Sequence, residues 1–442
     1  MDARHRFDGM PPPKRPKNEE ETPAEREVDR ISDLPEGVIH HLLSLMPAHG
    51  AVRTCVLARC WRHLWRSAPA ILFTNEEWSG SADRFNQFVD RLLLLRSHGA
   101  PLESCDFNLF ETDVYCDEFL AANNEQHVGH WIWHALCRQV RVLIFCNGFP
   151  DNLWLPNLHL SSRHLARLEL DGVSTNQSLL DFSGCPSLVD LNMVSCFVNS
   201  GKMSSPSLKH LRMRSCQFYA NRRTRMSLPN LVSLELDYIV GRTPLSESMT
   251  SLVTAIVRLG CNSSDRCLKG ESGGCADDPC EGCRYYYGSD DDRRHSVFLQ
   301  GLLQATALEL SAEPDGIVFK RDLKWCPAFS KLKTLVLDEW FVTDGLSALI
   351  WFLQHSPILQ KLSLQLPAVV HKKTAGEAGS YGPIEQSVAS DHLELVEIKC
   401  REVDEMVVAI LKILSVSGIP LEKIQIHKRS SFGCIKFVCT GF

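Results

Sequence analysis

The chain has 442 residues, of which 44% are hydrophobic and 23% are charged, and its formal net charge at pH 7 is −6. A net negative charge argues against a dedicated nucleic-acid-binding protein. The sequence has no apolar run long enough to cross a bilayer, and its polar N-terminus lacks the apolar core of a secretory signal. We therefore expect neither a nucleic acid nor a membrane as a partner. The 18 cysteines are expected to be free thiols in a reducing compartment.

Residues 1–27 are polar, rich in proline and of mixed charge, which predicts a disordered tail. Within this tail, the run Lys14-Arg15-Pro16-Lys17 is either a nuclear-targeting signal or a solvated charge cluster. Together with the absence of a secretory signal pattern, this run predicts a location in the nucleus, the cytoplasm or both.

The stretch from residue 30 to residue 65 predicts a compact group of short helices. Asp33 and Glu36 have the spacing of a capping box, which places Pro35 in the first helical turn. The first helix is indicated by apolar residues at helical spacing, namely Val38, Ile39, Leu42, Leu43 and Met46. So small a unit has more apolar surface than it can hide from water. It is therefore either a cap on the rest of the chain or a module that buries an apolar face on another protein.

Four short motifs in this stretch resemble the plant F-box, namely DRISDLP at 29–35, LLS at 42–44, AVRT at 51–54 and WRHLW at 61–65. The resemblance, which we assign to residues 28–74, implies docking to a Skp-family adaptor and, through it, to the cullin of an SCF ubiquitin ligase. The residues that it implies face the adaptor are Leu34, Pro35, Ile39, Leu42, Leu57 and Trp61. The chain departs from the family pattern at Ala58, Arg59 and Cys60, where Ser-Lys-Arg is usual. This departure bears on adaptor affinity.

After a predicted helix over residues 84–95, apolar residues recur at positions 1, 4 and 6 of short strands. The four clearest units begin at residues 165, 188, 208 and 231, with spacings of 23, 20 and 23 residues. This is the leucine-rich-repeat period, with one strand and one return segment per unit. Weaker copies begin at residues 102, 140, 252, 305, 332, 359, 393 and 421. Stacked units of this kind form a curved solenoid with a parallel sheet on its concave side.

The predicted fold class is therefore α/β, with a small N-terminal helical F-box followed by an irregular leucine-rich-repeat solenoid over residues 100–392. Residues 393–428 resemble the FBD region that ends many plant F-box/leucine-rich-repeat proteins, and a helix with apolar residues between Met406 and Leu414 would cap the last turns. Residues 369–390 are rich in Gly, Ala, Lys and Ser, which predicts a surface loop.

A cysteine-rich insertion over residues 260–296 also interrupts the repeats. Cys280 and Cys283 have the two-residue gap of a zinc half-site, and Cys275 and His295 could complete four ligands. A strong zinc signature has two such gaps, whereas this segment has one. We therefore predict no metal and no other cofactor, and keep a zinc-dependent protein as a third hypothesis.

On the predicted sheet, side chains alternate, so the residues between the buried positions point outward. The outward residues that we single out are Arg167, Glu169, His210, Arg212, Arg214, Glu235 and Asp237. They place a basic strand between acidic ones. Either neighbouring strands pair their opposite charges, or the strip orients a protein substrate.

The sequence contains no nucleotide-binding glycine loop, nucleophile elbow or HExxH motif, so we predict no catalytic residues and no enzyme. The first functional hypothesis is the substrate-recognition subunit of an SCF-type ubiquitin ligase, with an unidentified protein substrate on the repeats. The second is a leucine-rich-repeat binding scaffold or inhibitor that does not assemble into a ligase.

Overall fold

The structure is a computed structural model that describes the chain from Leu34 onward, with internal gaps. The residues outside the description are 1–33, 79–81, 98, 111–122, 149–151, 156–158, 176–178, 220–222, 264–297, 313–317, 324–325, 343–345, 368–391, 431–432 and 439–442. Three predicted segments fall wholly or largely among them: the tail over 1–27, the cysteine-rich insertion beyond residue 263 and the loop over 369–390. The insertion begins later than predicted, because residues 260–263 still belong to a strand.

Short strands make up most of the regular structure. In chain order they are β1 (Ala70–Thr74), β2 (Ser104–Phe110), β3 (Val142–Gly148), β4 (Leu153–Trp154), β5 (Arg167–Asp171), β6 (Val173–Thr175), β7 (Asp190–Val194), β8 (Phe197–Val198), β9 (Lys202–Ser204), β10 (His210–Arg214), β11 (Gln217–Phe218), β12 (Arg225–Ser227), β13 (Ser233–Gly241), β14 (Leu245–Ser246), β15 (Thr254–Ser263), β16 (Ala307–Ala312), β17 (Thr334–Glu339), β18 (Lys361–Gln365), β19 (Leu395–Cys400), β20 (Ile424–Ser430) and β21 (Gly433–Val438).

Helices are fewer and lie mostly near the two ends. They are α1 (Glu36–Ser44), α2 (Ala48–Arg53), α3 (Ala82–Leu95), α4 (Asn123–Cys137), α5 (Val318–Leu323), α6 (Ser347–His355) and α7 (Glu405–Val416). Short 3₁₀ segments cover Thr54–Val56, Cys60–Arg62, Leu64–Ser67, Glu76–Trp78, Leu299–Leu302, Trp340–Val342 and Leu421–Lys423.

The strands form three parallel ladders. The main sheet runs β1-β2-β3-β5-β7-β10-β13-β15-β16-β17-β18-β19-β20, every pair parallel and consecutive coils adjacent, and β21 closes it antiparallel to β20. A second ladder runs β4-β6-β8-β11 and joins the end of β13. A third is β9-β12-β14. This mixed α/β architecture with a mostly parallel sheet agrees with the predicted repeat fold.

The core follows the predicted 1-4-6 pattern. In the four clearest units every such residue is almost fully buried, namely Leu165, Leu168, Leu170, Leu188, Leu191, Met193, Leu208, Leu211, Met213, Leu231, Leu234 and Leu236. The pattern fails at Leu421, which is exposed on a 3₁₀ segment just before β20. The predicted C-terminal strand, helix and strand are present as β19, α7 and β20. Asp404 caps α7, accepting a hydrogen bond from the Val407 N–H at 3.1 Å.

The first helix begins two residues later than the capping box predicts. Pro35 is its N-cap, no side chain caps it, and the Pro35 carbonyl accepts hydrogen bonds from the N–H groups of Val38 and Ile39. A residue that precedes proline is disfavoured in the helical region, so Leu34 cannot comfortably be the first helical residue. The proline ring therefore sets the start of α1, and Asp33 lies outside the described residues.

The main sheet begins with β1, inside the range predicted for the helical F-box. Ala68, Ile71 and Phe73 are buried at positions 1, 4 and 6, so this segment is a repeat strand that the sequence analysis missed. It pairs in register with β2, and Pro47 forms a bridge to Leu72 in the middle of it. The N-terminal helices are thus packed against the first coil and share its core.

A left-handed residue turns the chain from the main sheet into the second ladder. Gly172, Ser195, Ser215 and Tyr238 have φ of +64°, +50°, +52° and +53° at equivalent points of four successive coils. Gly172 follows β5, and a β-carbon there would collide with the backbone carbonyl oxygen of Asn147. Non-glycine residues adopt this φ in the three later coils, so glycine is needed at Gly172 because the neighbouring coil approaches it closely.

We expect Gly172→Ala to lower the free energy of unfolding by about 1–3 kcal/mol, because the new methyl group adds a steric clash to a left-handed backbone. Urea denaturation monitored by circular dichroism measures this change. Gly37→Ala is the matched control: it lies in α1, and an added β-carbon meets no atom within 4 Å. It should raise stability by about 0.5–1 kcal/mol. Equal effects of the two substitutions would contradict the assigned turn.

Candidate functional site: two exposed surfaces

The structure divides the residues predicted to face an adaptor into buried and exposed groups. Ile39 and Trp61 are only 3% and 5% exposed and belong to the core shared with the first coil. Leu34 is half-buried against that core, whereas Pro35, Leu42 and Leu57 are exposed. In this conformation a partner cannot reach Ile39 or Trp61, so these two residues support the module from inside.

The same module exposes other apolar side chains. Val38, Leu42 and Leu45 lie at i, i+4 and i+7, which puts them on one stripe of α1 beside the buried Ile39. After α2, Val56 and Leu57 are 82% and 70% exposed on a 3₁₀ turn. We call the exposed set the N-terminal apolar surface; it comprises Val38, Leu42, Leu45, Met46, Val56 and Leu57.

The second surface is the face of the main sheet that points away from the core. Its predicted charges are largely paired. Arg167 pairs with Glu169 on the same strand, and the Arg212 Nε lies 2.6 Å from a Glu235 carboxylate oxygen on the next strand. Arg258 bridges Asp237 at 3.1 Å and Glu309 at 2.8 Å. Pairing between neighbouring strands therefore involves three of the seven residues singled out, namely Arg212, Glu235 and Asp237, whereas Arg167 and Glu169 pair within one strand.

The other two predicted residues, His210 and Arg214, are exposed. Within the part of the chain that the structure describes, they have no hydrogen bond or ion pair from their side chains. They lie on β10, where Asp190 of β7 is the register partner of His210 and Asp237 of β13 is that of Arg214. Among the seven residues singled out, those without an ion pair thus lie on one strand.

The first coils hold a group of carboxylates whose protonation is perturbed. Burial, followed by the negative charge of Glu169, raises the pKa of Asp106 to about 6. Burial also raises the pKa of Asp171 above its ordinary value. One carboxylate oxygen of Asp106 is buried without a hydrogen bond. Sequence reasoning missed Asp106 because its repeat is a weak copy, with Cys105 at position 4.

The second ladder displays aromatic side chains that the 1-4-6 pattern does not address. Trp154 on β4 and Phe197 on β8 have ring centroids 6.2 Å apart, and Phe197 and Tyr219 are also 6.2 Å apart. Trp154 and Tyr219 are exposed and Phe197 is half-buried. We call these three residues the aromatic row. The ladder strands are two or three residues long, which is too short for a periodic sequence signal.

Asp106→Asn tests the carboxylate group through its pH dependence. The raised pKa means that the folded state favours the protonated form of Asp106. The contribution of this group to the free energy of unfolding is therefore present below the unfolded pKa and is lost as pH rises through about 6. The variant cannot ionise. We therefore expect its thermal midpoint, relative to wild type, to increase between about pH 4 and about pH 7.

Asp181→Asn is the control with the opposite sign. A hydrogen bond from the Ser204 hydroxyl at 2.8 Å lowers the pKa of Asp181. The contribution of the ionised Asp181 to the free energy of unfolding is therefore present at neutral pH and is lost as pH falls. This variant should be less stable than wild type at about pH 7, and its thermal midpoint should approach that of wild type in acid. A parallel response of the two variants would contradict the assignment.

Among the described residues, no group of three or more His, Cys, Asp or Glu side chains has the geometry to hold a metal ion. The zinc hypothesis concerns residues 275–295, which lie outside the described part. No described helix has the length and hydropathy needed to cross a membrane.

Comparison with known proteins finds relatives in Arabidopsis thaliana, although no protein-family model matches the chain. An F-box/FBD/LRR-repeat protein is 28% identical over 251 residues, which cover 56% of this chain and 52% of the relative. An F-box/LRR-repeat protein is 26% identical over 406 residues, covering 79% and 71%. Another F-box/LRR-repeat protein is 34% identical over 189 residues, covering 37% and 58%. The chain thus spans about half the length of the first relative that it matches.

Proposed function

We propose that this chain, a homologue of the plant F-box/LRR-repeat proteins that include FBD-containing members, is the substrate-recognition subunit of an SCF-type ubiquitin ligase. In this proposal, the N-terminal apolar surface docks a Skp-family adaptor that is itself joined to a cullin. The repeats bind a protein substrate. The observation that carries the proposal is the exposure of Val56 and Leu57, which are the most exposed of the six side chains of the N-terminal apolar surface.

An uncovered set of six apolar side chains on so small a module is costly in water and stabilising when another protein covers it. Helices that present an apolar face to a groove are a recurring mode of recognition. The surroundings of this surface are cationic: there is no Asp or Glu between Gly37 and Asn75, and Arg53, Arg59 and Arg62 are exposed. An adaptor with an acidic rim would therefore associate fastest, and added salt would slow the association.

The contribution of this chain is positional. Because the helices share a core with β1, an adaptor docked on them is held at a defined orientation to the main sheet. A substrate bound to the sheet then meets the ligase at high effective concentration, and the ligase supplies the chemistry of ubiquitin transfer.

A scaffold that does not assemble into a ligase remains the second candidate. The observation that favours it is the departure at Ala58, Arg59 and Cys60, because Arg59 and Cys60 are exposed beside Leu57. These side chains would contact any partner on the N-terminal apolar surface. Direct measurement of adaptor binding distinguishes the two candidates.

We expect Val56→Asp with Leu57→Asp to weaken binding of a purified Skp-family adaptor by at least about 30-fold, because buried apolar side chains at interfaces contribute about 2 kcal/mol or more. Isothermal titration calorimetry on the full chain measures the affinity. Both residues are exposed, so the thermal midpoint should stay near that of wild type.

Val403→Asp with Val416→Asp is the matched control. These two residues are likewise apolar and exposed, but they lie at the opposite end of the chain. It should leave adaptor affinity unchanged. Absence of adaptor binding by the wild-type chain would reject the ligase assignment and favour the scaffold. Unchanged affinity of the Val56/Leu57 variant would reject the proposed docking surface.

Trp61→Ala separates support of the module from contact with a partner. Trp61 is buried, so truncation should cost about 3–5 kcal/mol of stability, as for other large core aromatics. Chemical denaturation should detect this loss in the free chain. A variant with normal stability and lost adaptor binding would instead place Trp61 in the interface.

A further inference from the structure

The aromatic row runs along a single ladder and on one face of it. Trp154 of β4 and Phe197 of β8 are both register partners of Ser174 on β6, which lies between them. Strands two places apart in a sheet are separated by about 9.6 Å, yet the two ring centroids are 6.2 Å apart. The rings therefore lean over Ser174, which is only 3% exposed. Tyr219 continues the row on the next coil, where its N–H donates to the Val198 carbonyl at 3.0 Å.

The row presents apolar rings on strands without charge. None of β4, β6, β8 and β11 contains a charged residue. The ring planes of Trp154 and Phe197 meet at 64°, and those of Phe197 and Tyr219 meet at 88°. Rings at such angles do not stack face to face, so their faces stay open to a ligand. Covering these rings with apolar surface removes them from water and is therefore favourable.

The spacing of the rings suits one backbone conformation. Successive ring centroids are 6.2 Å apart, and two residues of a polyproline II helix advance by about 6.2 Å. An extended β-strand has a similar rise, but it needs ladder hydrogen bonds, which aromatic rings do not provide. A polyproline II helix needs no such partner and docks in aromatic-lined grooves.

This chain itself contains a segment with the matching chemistry. Residues 11–16 read Pro-Pro-Pro-Lys-Arg-Pro, and we call them the proline segment. Proline fixes φ near the polyproline II value and has no backbone N–H to leave unsatisfied. Such a run loses little conformational entropy when it docks. Its apolar rings can therefore pack on the aromatic row at low cost.

The proline segment is connected closely enough to reach the row. The described chain begins at Leu34, which packs against the core shared with the first coil. Residues 17–33 join the segment to this point, and a chain of that length can span up to about 56 Å. The row begins two strands from β1 and ends five strands from it, or about 10–24 Å along the solenoid. About 30 Å of chain is then left for the path around a coil.

Connection and charge give the proline segment the same direction. The linker returns to the N-terminal coils, so the C-terminal end of the segment lies at Trp154 and its N-terminal end at Tyr219. The sequence between residues 191 and 234 has no Asp or Glu and several Lys and Arg, so it would repel Lys14 and Arg15 at the Tyr219 end. At the opposite end, the exposed face of Trp154 attracts a cation through its π-system.

We propose that the proline segment docks on the aromatic row of the same chain, with its first prolines over Phe197 and Tyr219 and its cations at Trp154. This intramolecular contact goes beyond the proposed function, because it involves neither the adaptor nor a substrate. Docking would hold the basic run Lys14-Arg15-Pro16-Lys17 against the coils. The availability of that run to a receptor would then depend on what occupies the row.

The first test uses full-length chains and a fluorescein-labelled peptide with the sequence of residues 8–18. One chain is wild type, and the other carries Pro11→Ala, Pro12→Ala and Pro13→Ala together. Fluorescence anisotropy measures the peptide affinity. We expect the triple variant to bind the peptide at least about tenfold more tightly than wild type, because the tethered segment of the wild-type chain competes at high effective concentration. A peptide with Ala in place of the same three prolines should bind neither chain.

The second test measures the contact within the intact chain. Trypsin cleavage after Lys17 should be slow in wild type and severalfold faster in Trp154→Ser and in Tyr219→Ser, each of which removes an exposed ring. Trp133→Ser is the matched control, since Trp133 is an exposed tryptophan on α4 and outside the row. It should be cleaved at the wild-type rate.

The triple alanine variant makes the second test independent of folding. It changes no residue of the described part of the chain, and cleavage after Lys17 should be as fast as in the ring variants. Cleavage of the free wild-type and alanine peptides corrects for any local effect of the substitutions on trypsin. Adaptor affinity should equal that of wild type in every variant, so this contact is tested separately from the ligase assignment.

Four results would overturn the inference. The first is equal affinity of the peptide for wild type and the triple variant, which would leave the row open to a proline-rich segment of another protein. The second is no peptide binding, or equal binding of the alanine peptide. The third is cleavage after Lys17 at one rate in wild type and the ring variants. The fourth is protection that increases with protein concentration, which would assign the row to the proline segment of a second copy.

Discussion

A single coil of this protein cannot bury its own leucines, and the rest of the structure depends on that constraint. Positions 1, 4 and 6 of each strand point into the space between the ladders, where only the neighbouring coil can cover them. Parallel hydrogen bonding between consecutive strands then fixes the register. The hydrophobic requirement and the hydrogen-bond requirement are met by the same stacking, so each coil depends mainly on its two neighbours.

The N-terminal helices fit this arrangement because they supply the neighbour that the first coil lacks. Within the described part of the chain, the first strand, Ala70–Thr74, pairs with another strand on one edge, and the bridge between Pro47 and Leu72 places the start of the second helix along the other. Ile39 and Trp61 are therefore buried between the helices and the first coil. The apolar residues that remain exposed, above all Val56 and Leu57, are those that do not pack between the helices and the first coil.

Much of this fold could be predicted from the sequence, because the 1-4-6 pattern is dictated by side-chain alternation and holds even where Cys, Met or Ala replaces Leu. The first coil was missed because Ala68 is a weak signal next to a strong helical motif. The second and third ladders were missed because strands of two or three residues have no period. The surface residues were harder still: sequence spacing identifies Ile39 and Leu42 alike as apolar, and only packing decides which of them meets water.

The ladder between β15 and β16 is unbroken, although these strands are separated by more than forty residues of chain. Val257 and Leu310 are register partners, and Arg258 still reaches Glu309. The chain between adjacent coils can therefore lengthen or shorten while the spacing of the strands stays the same, since loop closure depends only weakly on length. Such a protein can acquire or lose whole peripheral segments in evolution without relocating a single contact residue, and its diversity is expected to accumulate as insertions between coils rather than as changes in the sheet.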